Sequence, residues 1–235
     1  GQDGGGDYYR GTCYYYKKLG KIELEQDEVA YLEFEGVHSI ADVYLNGTLL
    51  THHEGGFSTF RVRIDENLND VNFLVVKVDN SANDYIYPQW ADFTFFGGIY
   101  RNVNLITTNK VHFDLDYNGG PGIAVTPTVN KANANVHVDC YVNEKEGVEI
   151  NVQVLDNAHK VIKTLKSNEL SFDFEINNVH LWNGVEDPYL YTLRVQLVKD
   201  NIELDNKDVR FGVRTFSVDP DKGFFLNGKS YPLHG

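Results

Sequence analysis

The chain has 235 residues, enough for one large or two ordinary domains. Its 21 basic against 34 acidic side chains leave a net charge of −13, which disfavours nucleic-acid backbones and anionic membrane surfaces as partners and leaves neutral ligands compatible. Hydrophobic residues make up 42%, as in a globular chain with a real core, and no apolar run approaches the length of a membrane helix.

The opening residues, GQDGGGD, carry neither an initiating methionine nor the basic and apolar parts of a secretory leader, and methionine is absent throughout. The expectation is a piece excised from a longer protein, with any targeting segment upstream. No segment holds a helical period beyond a turn or two. Period-two alternation instead recurs at short intervals with turn residues between, so the fold class is all-β. Ala30, Leu32 and Phe34 oppose Tyr31, Glu33 and Glu35, and Ala41, Val43 and Leu45 oppose Asp42, Tyr44 and Asn46. Asn46 and Gly47 form the dipeptide of two-residue hairpins, which accounts for the residues that also read as a glycosylation sequon with Thr48. A strand from Val71 to Asp79 puts Leu74, Val76 and Val78 on one face, and this spacing suits a sandwich or jelly roll.

The stretch Asp92 to Val103 reads DFTFFGGIYRNV. Gly97 and Gly98 admit backbone angles closed to other residues, so the chain is predicted to turn there into an alternating run from Ile99 to Leu105. The loop so aimed carries Asp92 and the aromatics Trp90, Phe93, Phe95 and Phe96. That composition suits the apolar and polar faces of a sugar ring, and equally an aromatic-packed sandwich corner.

The segment from about Thr107 to Asp116 reads as the crossing into a second unit, ahead of the glycine and proline stretch Gly119 to Gly122. The predicted division is 1–107, 108–217 and a terminal hairpin, 218–235. In the second unit Val136, Val138, Cys140 and Val142 share one face, as do Ile150, Val152 and Val154, then Leu170, Phe172, Phe174 and Ile176, then Tyr191, Leu193, Val195 and Leu197, and last Val209, Phe211 and Val213. Strands apolar on one face only fit an immunoglobulin-like sandwich of about seven strands, without the cysteine pair and core tryptophan of antibody domains. Cys13 and Cys140 fall in separate domains, so no disulfide is expected and Cys140 reads as a small buried hydrophobe. The hairpin through Phe224, Phe225 and Leu226, turning at Asn227 and Gly228, is marginal by itself and is expected to pack on something outside this chain.

Other constellations read as structural. His52 and His53 are adjacent on a strand and point to opposite faces, so with Glu54 they do not make a metal site. Asp114 and Asp116 read as one face of a solvated edge strand. No phosphate loop, serine-histidine-aspartate order or basic stripe is present.

Several of these blocks together resemble the N-terminal part of family 2 glycoside hydrolases, the β-galactosidase and β-glucuronidase group. CYYYKK (Cys13 to Lys18) stands in part where members carry Gly-Trp-Tyr-Arg-Lys. LEFEGVHSIADVYLNGTLLTHHEGGFSTF, VVKVDN and DFTFFGGIYRNV resemble the family's first domain, LWNGVEDPYLYTLRV its second, and FGVRTF and GFFLNGKSYPLHG the entry into its (β/α)₈ barrel. The resemblance implies a galactose-binding-like jelly-roll sandwich followed by an immunoglobulin-like β-sandwich and a terminal hairpin. It also implies that the two glutamates of a retaining mechanism lie in a missing C-terminal barrel, so this chain carries no catalytic residue and hydrolyses nothing alone. Asp92 matches an aspartate that reaches the bound sugar, with Trp90 and Phe93 as further substrate-binding residues, and Arg101 matches a motif arginine expected to form an interface ion pair. No metal ligand or cofactor is expected here; a bound Mg or Na ion belongs to the parent enzyme, and its partner is a carbohydrate, with no nucleic acid and no membrane. The implied activity is hydrolysis of terminal β-galactosides. Glucuronidase members more often read Asp-Phe-Phe-Asn-Tyr-Ala-Gly-Ile-His-Arg at the equivalent stretch. The alternatives are a β-glucuronidase-type parent, a free-standing carbohydrate-binding module, or a structural pair of sandwiches.

Overall fold

Two units, each with its own core, make up the structure, a computed structural model that describes residues 9–86 and 95–233. The first unit runs to Lys110 and takes back Leu115–Gly120; the second comprises Val111–Asp114 and the chain from Pro121 onward.

In the first unit the alternating segments form β1 (Thr12–Leu19), β2 (Glu28–Phe34), β3 (Val37–His38), β4 (Ile40–Leu45), β5 (Thr48–Glu54), β6 (Phe60–Arg63), β7 (Asn72–Asp79), β8 (Gly98–Ile99) and β9 (Val103–Asn109). They pair as antiparallel sheets in the orders β1-β7-β4-β5, β6-β2-β9 and β3-β8. The inward faces meet as the alternation requires: Ala30, Leu32 and Phe34 of β2 pack with Val43 and Leu45 of β4 and Leu74, Val76 and Val78 of β7. This is the jelly-roll sandwich, closed by the Phe34 and Phe60 rings stacked at 4.8 Å.

Strand β2 departs from the simple pattern because both of its faces are buried. Tyr31, on the face opposite Ala30, Leu32 and Phe34, packs with Val29 under Leu115 and Ile106. Leu115–Gly120 folds back over them, held by Arg61, whose Nη1 donates to the carbonyls of Leu115 and Gly120 at 2.8 Å each while Nε binds Glu33 at 2.7 Å. The edge strand expected through Asp114 and Asp116 is therefore replaced by bends. The Asp114 amide is tied to the Tyr141 carbonyl, and Asp116 is exposed beyond buried Leu115. The run from Ile99 to Leu105 is likewise interrupted. Ile99 pairs with Val37 of β3 and Val103 with Phe34 of β2, so residues 100–102 step between sheets.

The second unit is a seven-stranded immunoglobulin-like sandwich. Strands β10 (Ile123–Asn130), β11 (Asn133–Cys140) and β14 (Ser171–Ile176) form one sheet; β13 (Val161–Ser167), β12 (Val148–Leu155), β15 (Tyr191–Lys199) and β16 (Ile202–Phe211) form the other. Val136, Val138, Ile150, Val152, Leu193 and Val195 fill the space between them. Cys140 lies in this core, and burial pushes its thiol up to about 12. Both cysteines are free, as expected. Strands β17 (Phe216–Asp219), β18 (Gly223–Leu226) and β19 (Lys229–Ser230) follow as a small meander. The hairpin is tied to the rest of its unit by Asn227. Asn227 Nδ2 donates to the Trp182 carbonyl at 3.0 Å and its Oδ1 accepts from the Thr215 amide at 2.8 Å, while Leu226 is buried; Phe216, Val218 and Leu233 stay exposed.

Candidate functional site

Strand β7 ends at Asp79 and β8 begins at Gly98. Asp92, Trp90 and Phe93 belong to residues 87–94, which lie outside the described residues, so the geometry concerns the frame formed by the described residues on either side of them.

One side of the frame is polar. Asn80 is buried; its Oδ1 accepts from the Gly11 amide at 2.8 Å and its Nδ2 donates to the Tyr9 carbonyl at 3.3 Å. A Cβ on Gly97 would sit 2.2 Å from that Nδ2. Gly98 is held at φ +81°, and a Cβ there would lie 2.1 Å from the Tyr15 hydroxyl, which accepts from the Ile99 amide at 3.3 Å. Both glycines of the predicted corner are thus demanded by close approach, and Gly98 by its angle as well. Gly98→Ala is expected to lower the unfolding free energy by at least about 1–2 kcal/mol from the left-handed angle alone, more once Tyr15 is displaced. Urea unfolding of the chain checks this, and a wild-type midpoint would refute the corner's dependence on glycine.

The other side is aromatic. The His38 ring lies 5.7 Å from that of Phe57 and 6.3 Å from that of Phe95, and Phe57 meets Phe95 edge-on at 6.5 Å. His38 is buried with its Nδ1 unpartnered, and a Cβ on Gly56 would come within 2.0 Å of that atom. Burial, reinforced by the positive charge of Arg10, holds the imidazole below its ordinary pKa and so keeps it neutral. The Tyr100 hydroxyl donates to the Gly56 carbonyl, tying the Gly55-Gly56-Phe57 turn to the returning strand. Of the loop aromatics in view, Phe95 is buried in this frame and Phe96 is exposed. Arg101 is exposed and lies 5.4 Å above the Tyr100 ring, a cation–π contact within the first unit.

His52 and His53 point apart as predicted. His53 stacks on Phe60 at 4.0 Å, while His52 on the opposite face is bound by Asp42 at 2.6 Å and Glu54 at 3.3 Å. No group of three or more His, Cys, Asp or Glu side chains gathers to hold a metal ion among the described residues. A cavity of ≈ 590 Å³ opens between edge strands β1 and β9, lined by Tyr15, Phe34, Leu74, Val76, Val103 and Leu105. Its walls are mainly apolar, with Lys17, Lys21 and Tyr16 also in the lining. The sequence announces the corner glycines but not the roles of Tyr15, His38, Asn80 and Tyr100. The pair Gly55 and Gly56 before Phe57 was the one local signal of that packing.

Comparison with known proteins gives the same division. The family description "Glycosyl hydrolase 2 galactose-binding domain-like" fits residues 8–121, and "Glycosyl hydrolases family 2" fits residues 121–214. A β-glucuronidase of Bacteroides fragilis is 34% identical over 97% of this chain and 35% of its own length. A β-galactosidase of Thermoanaerobacterium thermosulfurigenes is 32% identical over 95% of this chain and 32% of its own. Among solved structures, an FMN-binding β-glucuronidase from Faecalibacterium prausnitzii L2-6 superposes with a TM-score of 0.90 at 36% identity, covering 98% of this chain and 37% of that one. The Bacteroides uniformis β-glucuronidase gives 0.84 at 31% identity, covering 97% and 29%. The chain spans about a third of the length of the curated relatives it matches. Two β-sandwiches in this order, each fitted by its own description, place the chain in glycosyl hydrolase family 2, to whose N-terminal domains it belongs.

Proposed function

We propose that this chain is the non-catalytic N-terminal portion of a retaining β-glycosidase, in which the first sandwich presents Asp92, flanked by Trp90 and Phe93, to the sugar bound by a catalytic barrel. The observation that carries this reading is the frame. Asn80 against Gly97, Tyr15 against Gly98, and the His38, Phe57 and Phe95 rings fix the backbone on either side of residues 87–94, a degree of positioning that a mere sandwich corner does not need. A carboxylate there accepts hydrogen bonds from vicinal hydroxyls, and aromatic rings cover the apolar face of the sugar.

The loop's Gly-Gly-Ile-Tyr-Arg wording supports a terminal β-galactoside as substrate. A second reading, β-glucuronide hydrolysis, is favoured by the glucuronidases of B. fragilis and F. prausnitzii, at 34% and 36% identity. Assay of the full-length enzyme against an aryl β-galactoside and an aryl β-glucuronide decides between them. The present chain should turn over neither. Sub-millimolar binding of galactose or lactose by the chain alone would replace this reading with a free-standing carbohydrate-binding module.

A further inference from the structure

We propose that Asn118 is a site of spontaneous deamidation, as the one Asn-Gly pair of the sequence whose side chain makes no hydrogen bond among the described residues. The sequence contains four such pairs, at Asn46, Asn118, Asn183 and Asn227. In each, a following glycine has no Cβ to shield its amide nitrogen from the asparagine side chain. The reaction needs no other group. The Gly119 nitrogen attacks Asn118 Cγ and gives up its proton, the Cγ–Nδ2 bond breaks, and Nδ2 leaves with a proton as ammonia. Water then opens the resulting succinimide at one of its two carbonyls, giving aspartate or isoaspartate.

Backbone conformation does not separate three of the candidates; in the fourth, only Gly184 of the Asn183-Gly184 pair has a positive φ, 68°. Asn46 and Gly47 lie at φ 53° and 86°, Asn118 and Gly119 at 49° and 66°, and Asn227 and Gly228 at 50° and 76°, the same left-handed turn three times. Side-chain bonding does separate them. Asn46 donates to the Asn67 carbonyl at 2.8 Å and to Asn72 Oδ1 at 2.9 Å, and accepts from the Phe73 amide at 2.9 Å. Asn183 and Asn227 lock each other at 2.7 Å, Asn183 also donating to Leu181 at 3.2 Å and Asn227 accepting from Thr215 at 2.8 Å. Asn118 is exposed and makes no side-chain hydrogen bond among the described residues. The turn itself is closed by the bond from the Gly120 amide to the Tyr117 carbonyl, 2.9 Å.

The product would sit where the loop is fitted tightly. A Cβ on Gly119 would fall 2.2 Å from the Thr59 carbonyl oxygen, and the Gly120 carbonyl is a ligand of Arg61. An isoaspartate adds a methylene to the backbone of this turn, and either product adds a carboxylate beside Asp116.

The test uses the chain as it is, aged at mildly alkaline pH and mapped by peptide mass spectrometry for the mass gain of amide-to-acid conversion. A synthetic peptide of residues 115–121 provides the unfolded rate. Conversion at Asn118 is expected roughly tenfold or more ahead of the other three pairs, each of which must first break two or more hydrogen bonds, and within about tenfold of the peptide. Asn118→Gln should remove the signal and leave the other peptides unchanged. The proposal is overturned if Asn46, Asn183 or Asn227 converts as fast, or if Asn118 lags the peptide by more than that factor.

Discussion

Arg61→Ala will destabilise the protein by about 3–5 kcal/mol at neutral pH, the cost of removing one member of a buried ion pair and leaving the other charge behind. The Arg61 and Glu33 side chains are only 10% and 15% exposed. The guanidinium also bonds the Leu115 and Gly120 carbonyls, so truncation frees the segment that covers Val29 and Tyr31. Lysine would not restore this, because a single ammonium cannot span a carboxylate and two carbonyls in the fixed directions of the guanidinium fork. The pH dependence has a definite sign. Burial pushes the Glu33 carboxyl up, but hydrogen bonds from Asn104 and Arg61 together outweigh it and hold the group below its ordinary 4.5. A depressed folded-state value contributes stability above the unfolded pKa that is lost as pH falls through the folded one. Without Arg61 burial gains on the remaining bonds and the carboxyl titrates higher, so the gap between variant and wild type narrows on acidification below about pH 4–5. Urea unfolding at neutral and acidic pH, with Glu33→Gln completing a double-mutant cycle, measures both effects. A loss under about 1 kcal/mol, or one indifferent to pH, would show that the pair does not hold the segment.

Much of this architecture is legible in the sequence because period-two alternation is a local property. Where a strand has one buried face, as in Ala41, Val43 and Leu45, the pattern gives register and inward side directly. It misleads where something else covers the outward face. Tyr31 stands opposite the apolar side of β2, and nothing near it in sequence announces that Leu115 will return to cover it. Strand β10 was missed for a different reason. Pro127 breaks the pattern of a central strand, yet β10 is the edge of its sheet, where a missing amide donor is tolerated. At the site, the Gly97 and Gly98 corner was readable from composition, but the need for it comes from Asn80 and Tyr15, which close on the glycines only after the sheets form. His38 gave no signal, since a histidine in a short strand looks the same whether it meets solvent or two phenylalanines.

Asp92→Asn in the full-length enzyme is expected to lower kcat/KM for the preferred aryl glycoside by roughly 10²–10³, on the reasoning that a hydrogen bond to a charged group contributes about 1.5–3 kcal/mol and that, in the proposed role, the carboxylate would accept from two hydroxyls. The amide keeps one acceptor oxygen but turns a nitrogen donor toward a hydroxyl that was itself donating, so a good contact becomes a poor one at nearly unchanged shape. The competing role for an aspartate in such a loop is a turn or cap, and the two roles separate by experiment. A turn aspartate replaced by asparagine changes little, because asparagine serves turns equally well, and truncation of a cap to alanine lowers stability by about 1 kcal/mol. A substrate-binding aspartate gives the opposite pattern. In the isolated chain both Asp92→Asn and Asp92→Ala should unfold within about 0.5 kcal/mol of wild type, while in the full-length enzyme both lose most of their activity. Gly98→Ala supplies the contrast, since it disturbs the frame and should lower stability and activity together. Full activity in Asp92→Asn beside a destabilised Asp92→Ala would assign the residue to the turn and leave the first sandwich as scaffold alone.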